Sequence, residues 1–96
     1  MSKLVLSPKA KSDISAIWDY SLEAWGVEQT EIYIRQIWAN IQRCADNPEI
    51  ASLAYMIRAG YRKILSGSHI IYFKEIEGGI DVVRVLHQSM DFKGNV

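Results

Sequence analysis

An arginine and a histidine stand three residues apart at the end of an apolar run, Arg84-Val85-Leu86-His87. A guanidinium can hold a phosphate, and an imidazole can take or give a proton near neutral pH. Together they would suit cleavage of a phosphodiester. Arg58, Arg62 and Lys63 form a second basic group. Arg58 and Arg62 are four apart and share one face if they lie on a strand. With Arg84 beside them they would make one cationic sheet face, fit for RNA phosphates or a partner's carboxylates. In a regular strand over 80–87, however, Arg84 points with Ile80, Val82 and Leu86, and His87 points with Asp81, Val83 and Val85. The two would share a phosphate only if the strand bulged between them. The plainer expectation pairs Arg84 with an acid and leaves His87 a structural residue.

Other chemistry finds little support. His69, His87 and Cys44 lack metal-ligand spacing, so no metal is expected. Gly60, Gly67, Gly78 and Gly79 match no nucleotide-binding fingerprint, so no cofactor is expected. The serines lack a nucleophile-elbow context. Cys44 lies on an apolar helical stripe and reads as a buried thiol.

The elements that must position these groups are legible in the pattern. Lys3 to Leu6 reads as a short strand. Ser7-Pro8 is a helix start, with serine as cap and proline in the first turn. Ala10, Ile14, Ile17, Trp18 and Trp25 follow at helical spacing, with Ser21 and Leu22 between. Gly26 stops that helix. A second helix carries Thr30, Tyr33, Ile34, Ile37, Trp38, Ile41, Cys44 and Ala45 inward and ends at Asn47-Pro48. Spacing assigns Trp18, Tyr20, Trp25, Tyr33 and Trp38 mostly to the core, with some aromatic surface left for a partner helix. From Arg58 the period changes to two. Tyr61–Leu65, His69–Ile76 and Ile80–His87 read as three strands. Ser66-Gly67-Ser68 turns between the first two. Glu77-Gly78-Gly79 makes the second hairpin, its two glycines supplying positive φ. The order β-α-α-β-β-β implies an α+β two-layer domain over 1–96: a helical hairpin on a small twisted, mainly antiparallel sheet.

The bulk properties limit the function. The chain has 96 residues, no formal net charge and 49% hydrophobic residues. That suits one modest core and gives no general electrostatic pull toward nucleic acid, so no sequence-specific nucleic-acid binding is expected. No apolar run reaches the ~18 residues of a membrane span. A single cysteine and no secretory leader suggest a reducing, cytoplasmic setting.

These stretches resemble the ParE branch of the RelE/ParE toxins, the toxin halves of bacterial toxin–antitoxin pairs. The resemblance runs through LSPKAKSDISAIWDYS, WGVEQTEIYI, RAGYRKILSGSHIIYF and VVRVLHQSMD. It implies a toxin of a type II system, held off by a cognate ParD-like antitoxin in a hetero-oligomer. ParE-like members act by binding DNA gyrase and blocking replication, without chemistry of their own. RelE-like relatives instead cut messenger RNA on the ribosome. For that activity Arg62, Arg84 and His87 would be the catalytic candidates. Gln88 follows His87 and no tyrosine follows Tyr72, so a second proton-transfer group is absent from the tail. The binding reading is therefore preferred. Arg58, Arg62 and Arg84 are the expected contacts to acidic antitoxin residues. Met90, Asp91 and Phe92 are the candidate contacts to gyrase.

Overall fold

A computed structural model describes residues 2–54 and 57–90. Strand β1 (Lys3–Leu6) leads into helix α1 (Pro8–Trp25) and helix α2 (Val27–Asp46). A 3-10 turn (Pro48–Ile50) and a two-residue strand β2 (Ser52–Leu53) follow. Strands β3 (Tyr61–Ser66), β4 (His69–Ile76) and β5 (Gly79–His87) form the meander. The sheet order is β1-β5-β4-β3-β2. Only β1 runs parallel to its neighbour, with Lys3 opposite Gly79 and Leu6 opposite Val82.

The helix boundaries have local causes. The Ser7 hydroxyl accepts the Ala10 N–H at 3.0 Å, and Pro8 occupies the first turn, where no intrahelical partner is required. Gly26, at φ +86°, ends α1 and starts α2, a conformation that a side chain would oppose. Asn47 closes α2 ahead of Pro48.

One core lies between the hairpin and one sheet face. Ala10, Ile14 and Ile17 of α1 and Ile37, Ile41, Cys44 and Ala45 of α2 meet Ile71, Phe73, Ile80, Val82 and Val85. Each large apolar side chain removed from water contributes about 1.5–3 kcal/mol. The opposite sheet face holds a small cluster of Tyr72 and Leu86, with Ile57, Tyr61 and Ile70 against it.

Three expectations need correction. The stripes are narrower than the apolar spacing suggested. Tyr20 is 72% exposed, Trp25 50% and Trp38 41%, so much of the helical aromatic surface stays outside the core. Trp38 follows the fully buried Ile37 and is turned away from the sheet by the helical step. Trp25 ends α1 and rests edge-on against Tyr33, with ring centroids 5.4 Å apart. Second, only Gly78 of the Gly-Gly pair has positive φ, +81°. Gly79 already belongs to β5 and is small for a different reason, close approach of β1. Third, β5 is irregular. Phe73 pairs with Val82 but Tyr72 pairs with Arg84, so Val83 is an extra residue. The side-chain phase slips there: Ile80 and Val82 face the core before the bulge, and Val85 faces it after.

Candidate functional site

β1 ends opposite Val82, so the second half of β5 would be a bare edge. The start of α1 covers it. The Ser7 N–H donates to the Val82 carbonyl at 2.9 Å, and the Ser7 hydroxyl donates to the Val83 carbonyl at 2.8 Å. The Val85 N–H donates to Asp13 Oδ2 at 2.9 Å. Asp13 also receives Arg84 in a two-point grip, Nε to Oδ2 at 2.8 Å and Nη2 to Oδ1 at 2.9 Å. Both side chains are largely shielded, with 14% and 13% exposure. The hydrogen bond to Asp13 pushes the Arg84 guanidinium above its already high range. Arg84 thus pairs with an acid, as the plainer sequence reading held.

The three arginines do not form one face. Arg62 pairs across the sheet with Phe73, and Arg84 with Tyr72, the preceding residue of β4. Adjacent residues of a strand point to opposite sides, so Arg62 and Arg84 are on opposite sheet faces. Arg62 is held by Glu75 at 2.9 Å and by the Ala51 carbonyl at 2.8 Å. Arg58 is exposed and stands 6.0 Å from the centroid of the Tyr61 ring.

Arg84 and His87 nevertheless line the same groove, of 370 Å³, beside the C-terminal half of β5. The bulge lies before Arg84, not between it and His87; the groove takes both because it opens along the strand's edge. Ala16, Ile17 and Tyr20 of α1 form one wall. Val85 and Leu86 lie opposite, and His69 and Met90 complete the lining. Arg62 is not part of it. Of the gyrase-contact candidates Met90 lines the groove, and Asp91 and Phe92 lie outside the described residues.

His69 is the residue that sequence reasoning undervalued. It pairs with His87 across β4 and β5, and the two rings meet edge to face with centroids 5.4 Å apart. On its other side His69 Nδ1 forms a short hydrogen bond of 2.5 Å with the Tyr33 hydroxyl. That hydroxyl also accepts the Ser68 N–H at 3.0 Å. Four rings, Trp25, Tyr33, His69 and His87, thus run edge to face from hairpin tip to sheet edge. The signal lay in pairing: the two-residue turn at Glu77-Gly78 and the extra residue Val83 set the β4–β5 register that puts 69 opposite 87. Gly67, at φ +59°, lies so close to Tyr33 that a Cβ would come 2.5 Å from its Cε1. Tyr33 and His69, which precede Tyr72 in the chain, are brought in beside this end of the sheet by the fold. His87 itself hydrogen-bonds within its own turn, Nδ1 to Ser89 Oγ at 2.8 Å and to the Ser89 N–H at 3.1 Å.

Burial, and then the neighbouring His87, lower the pKa of His69 below the ordinary histidine value. An unfolded chain, with histidine near ~6.5, then binds a proton more readily than the folded one. Stability should be full above about pH 6.5 and fall as acid takes the pH down through the folded value. Urea unfolding from neutral to mildly acidic pH checks this, and His69→Gln should flatten the dependence. Burial raises the Cys44 thiol pKa, only partly offset by Arg43, as expected of an unreactive core thiol. Among the described residues no group of three or more His, Cys, Asp or Glu could hold a metal ion, and no helix is long and apolar enough to cross a membrane.

A helical hairpin on a five-stranded sheet, with a groove at its open edge, defines a class of small α+β proteins. The family model described as ParE toxin of type II toxin-antitoxin system, parDE, matches residues 4–92. Toxin ParE1 of Mycobacterium tuberculosis is 46% identical over 96 residues, covering 99% of this chain and 98% of that protein. Toxin ParE1 of Caulobacter vibrioides is 40% identical over 91 residues, covering 95% and 94%. A solved structure, the chromosomal ParDE TA system from P. aeruginosa, superimposes with a TM-score of 0.77 at 18% identity, over 91% of this chain and 96% of that one. At that identity it speaks for the fold. The chain belongs to the ParE toxin family.

Proposed function

We propose that this ParE-family toxin inhibits DNA gyrase by binding it, and that a cognate ParD-like antitoxin neutralises it in a hetero-oligomer. The observation that carries the binding reading is the internal pairing of the cations. Arg84 is gripped by Asp13, and Arg62, on the other sheet face, by Glu75. A phosphodiester cleaver needs an open guanidinium over the phosphate beside its proton-transfer groups. Of the three candidates for that chemistry, Arg62 lies on the other sheet face, away from the groove that Arg84 and His87 share. Arg58 is exposed and makes no ion pair among the described residues, so of Arg58, Arg62 and Arg84 it is the one best placed for an acidic antitoxin residue. The kinship to proteins named Toxin ParE1 supports the same reading.

Purified toxin added to gyrase, ATP and relaxed plasmid should block supercoiling or trap cleaved DNA, and added antitoxin should reverse the effect. His87→Ala with fold retained should keep that inhibition. The second reading, a ribosome-dependent endoribonuclease, draws on Arg84, His69 and His87 sharing one groove. Untouched gyrase together with messenger RNA cleavage that His87→Ala abolishes would decide for it.

A further inference from the structure

The tip of the helical hairpin sets exposed apolar side chains among charges of one sign. Leu22 is 37% exposed, Trp25 50% and Val27 58%. Between Lys11 and Arg35 the chain has five acids and neither lysine nor arginine. Asp13 is matched by Arg84. The other four, Asp19, Glu23, Glu28 and Glu31, are exposed. Resting on the gyrase reading above, we propose that this tip is the surface that meets gyrase, and that it seats in an apolar recess bordered by lysine and arginine.

Helical spacing puts the two kinds of residue side by side. Leu22 is three residues from both Asp19 and Trp25 on α1, and Glu23 is four from Asp19. On α2, Glu31 is four from Val27 and three from Glu28. Gly26 joins the helices, so both sets lie at one end of the hairpin. Arg35 stands 3.9 Å from Glu31 in an exposed pair, which water holds loosely. The sheet turn beside the tip brings no cation: the Ser68 N–H is bonded to Tyr33, and Gly67 and Ser68 are uncharged.

Folding does not ask for this arrangement. The carbonyl end of a helix is its negative end, where a carboxylate is unfavourable. Glu23 nevertheless sits in the last turn of α1, which has no basic residue, and Asp19 lies one turn earlier. Leaving Trp25 half in water also forgoes burial that a core position would supply. Local choices that work against stability mark a surface kept for recognition. The sign of the charge selects the partner. RNA or DNA is repelled. An enzyme that handles DNA must itself present lysine and arginine to hold phosphates, so gyrase offers the complementary sign. Trp25 is then the central anchor, and the four carboxylates steer the approach.

The test measures binding of the full-length toxin to the gyrase holoenzyme at about 50 and about 200 mM salt. The wild-type association rate should fall about tenfold across that range. The variant Asp19→Asn/Glu23→Gln/Glu28→Gln/Glu31→Gln should associate about tenfold more slowly at the lower salt and lose most of the salt dependence. Asp46→Asn/Glu49→Gln removes exposed acids at and beyond the other end of α2 and should match wild type. Trp25→Ala should raise Kd by about tenfold or more. Trp25 also touches Tyr33, so Val27→Ser serves as the variant without that contact and should raise Kd severalfold. Folded tip variants that bind gyrase like wild type would overturn the proposal. So would an equal loss in Asp46→Asn/Glu49→Gln, or tip variants that lose the antitoxin and keep gyrase. A wild-type toxin that binds no gyrase at either salt would instead remove the gyrase reading itself.

Discussion

Replacing Gly79 by alanine should unseat the first strand. A Cβ built at Gly79 falls 1.7 Å from the Lys3 carbonyl oxygen, 2.6 Å from the Lys3 carbonyl carbon and 2.8 Å from its nitrogen. All three are backbone atoms, so no rotamer change relieves the overlap. Either β1 moves away or β5 does, and β5 is tied to β4 along its whole length. β1 has less to hold it: four register pairs with β5, the Lys3 N–H bond to the Gly78 carbonyl at 2.8 Å, and Leu4 and Leu6 against the core. Its displacement also pulls at Ser7, which both caps α1 and closes the edge of β5. We expect Gly79→Ala to cost about 3 kcal/mol or more, at the upper end of overpacking changes. The matched control is Gly78→Ala. Gly78 has positive φ but open space around it, so only the backbone penalty of about 1–2 kcal/mol applies. Urea midpoints of the two variants should differ in that order, and amide exchange at Leu4 to Leu6 should accelerate in Gly79→Ala. Equal midpoints would show that β1 is not held as closely as the geometry requires.

The same glycine illustrates what a linear reading resolves. Its place in a Gly-Gly turn is plain from sequence; the turn alone points to positive φ, because turn chemistry is local. The contact that requires it comes from residue 3, far away in the chain, and no local rule encodes it. The helices and the three meander strands were legible for the opposite reason: caps, stops and periodicity act within a few residues. Ser7-Pro8, Gly26 and Asn47-Pro48 each act where the pattern placed them. The bulge at Val83 was not legible, since alternation runs unbroken through Ile80-Asp81-Val82 and apolar residues continue on both sides of the slip. That one inserted residue decides where Arg84 points. His69 became a neighbour of His87 through the register of β4 and β5, and Tyr33 joins them through His69. A candidate site assembled across strands is thus sensitive to a one-residue register change that leaves every element in place.

Removing the Asp13 carboxylate should be the most damaging single change on α1. Asp13→Ala leaves the Arg84 guanidinium, only 14% exposed, without the carboxylate that grips it at two points, and leaves the Val85 N–H without its acceptor. Breaking one side of a shielded ion pair costs about 3–5 kcal/mol. A buried donor without a partner adds about 1–3 kcal/mol if water cannot reach it. Asp13→Asn retains an acceptor for one of these donors and should cost less. Removing both charges, as Asp13→Leu with Arg84→Leu, should recover much of the loss, because no shielded guanidinium then lacks the Asp13 carboxylate. A double-mutant cycle in urea measures that coupling. Single variants within about 1 kcal/mol of wild type would mean the guanidinium finds water at the groove, so that its charge remains available to a partner. That outcome would count against the binding reading too, because an open Arg84 beside His87 restores the phosphate-holding cation that the Asp13 grip takes away.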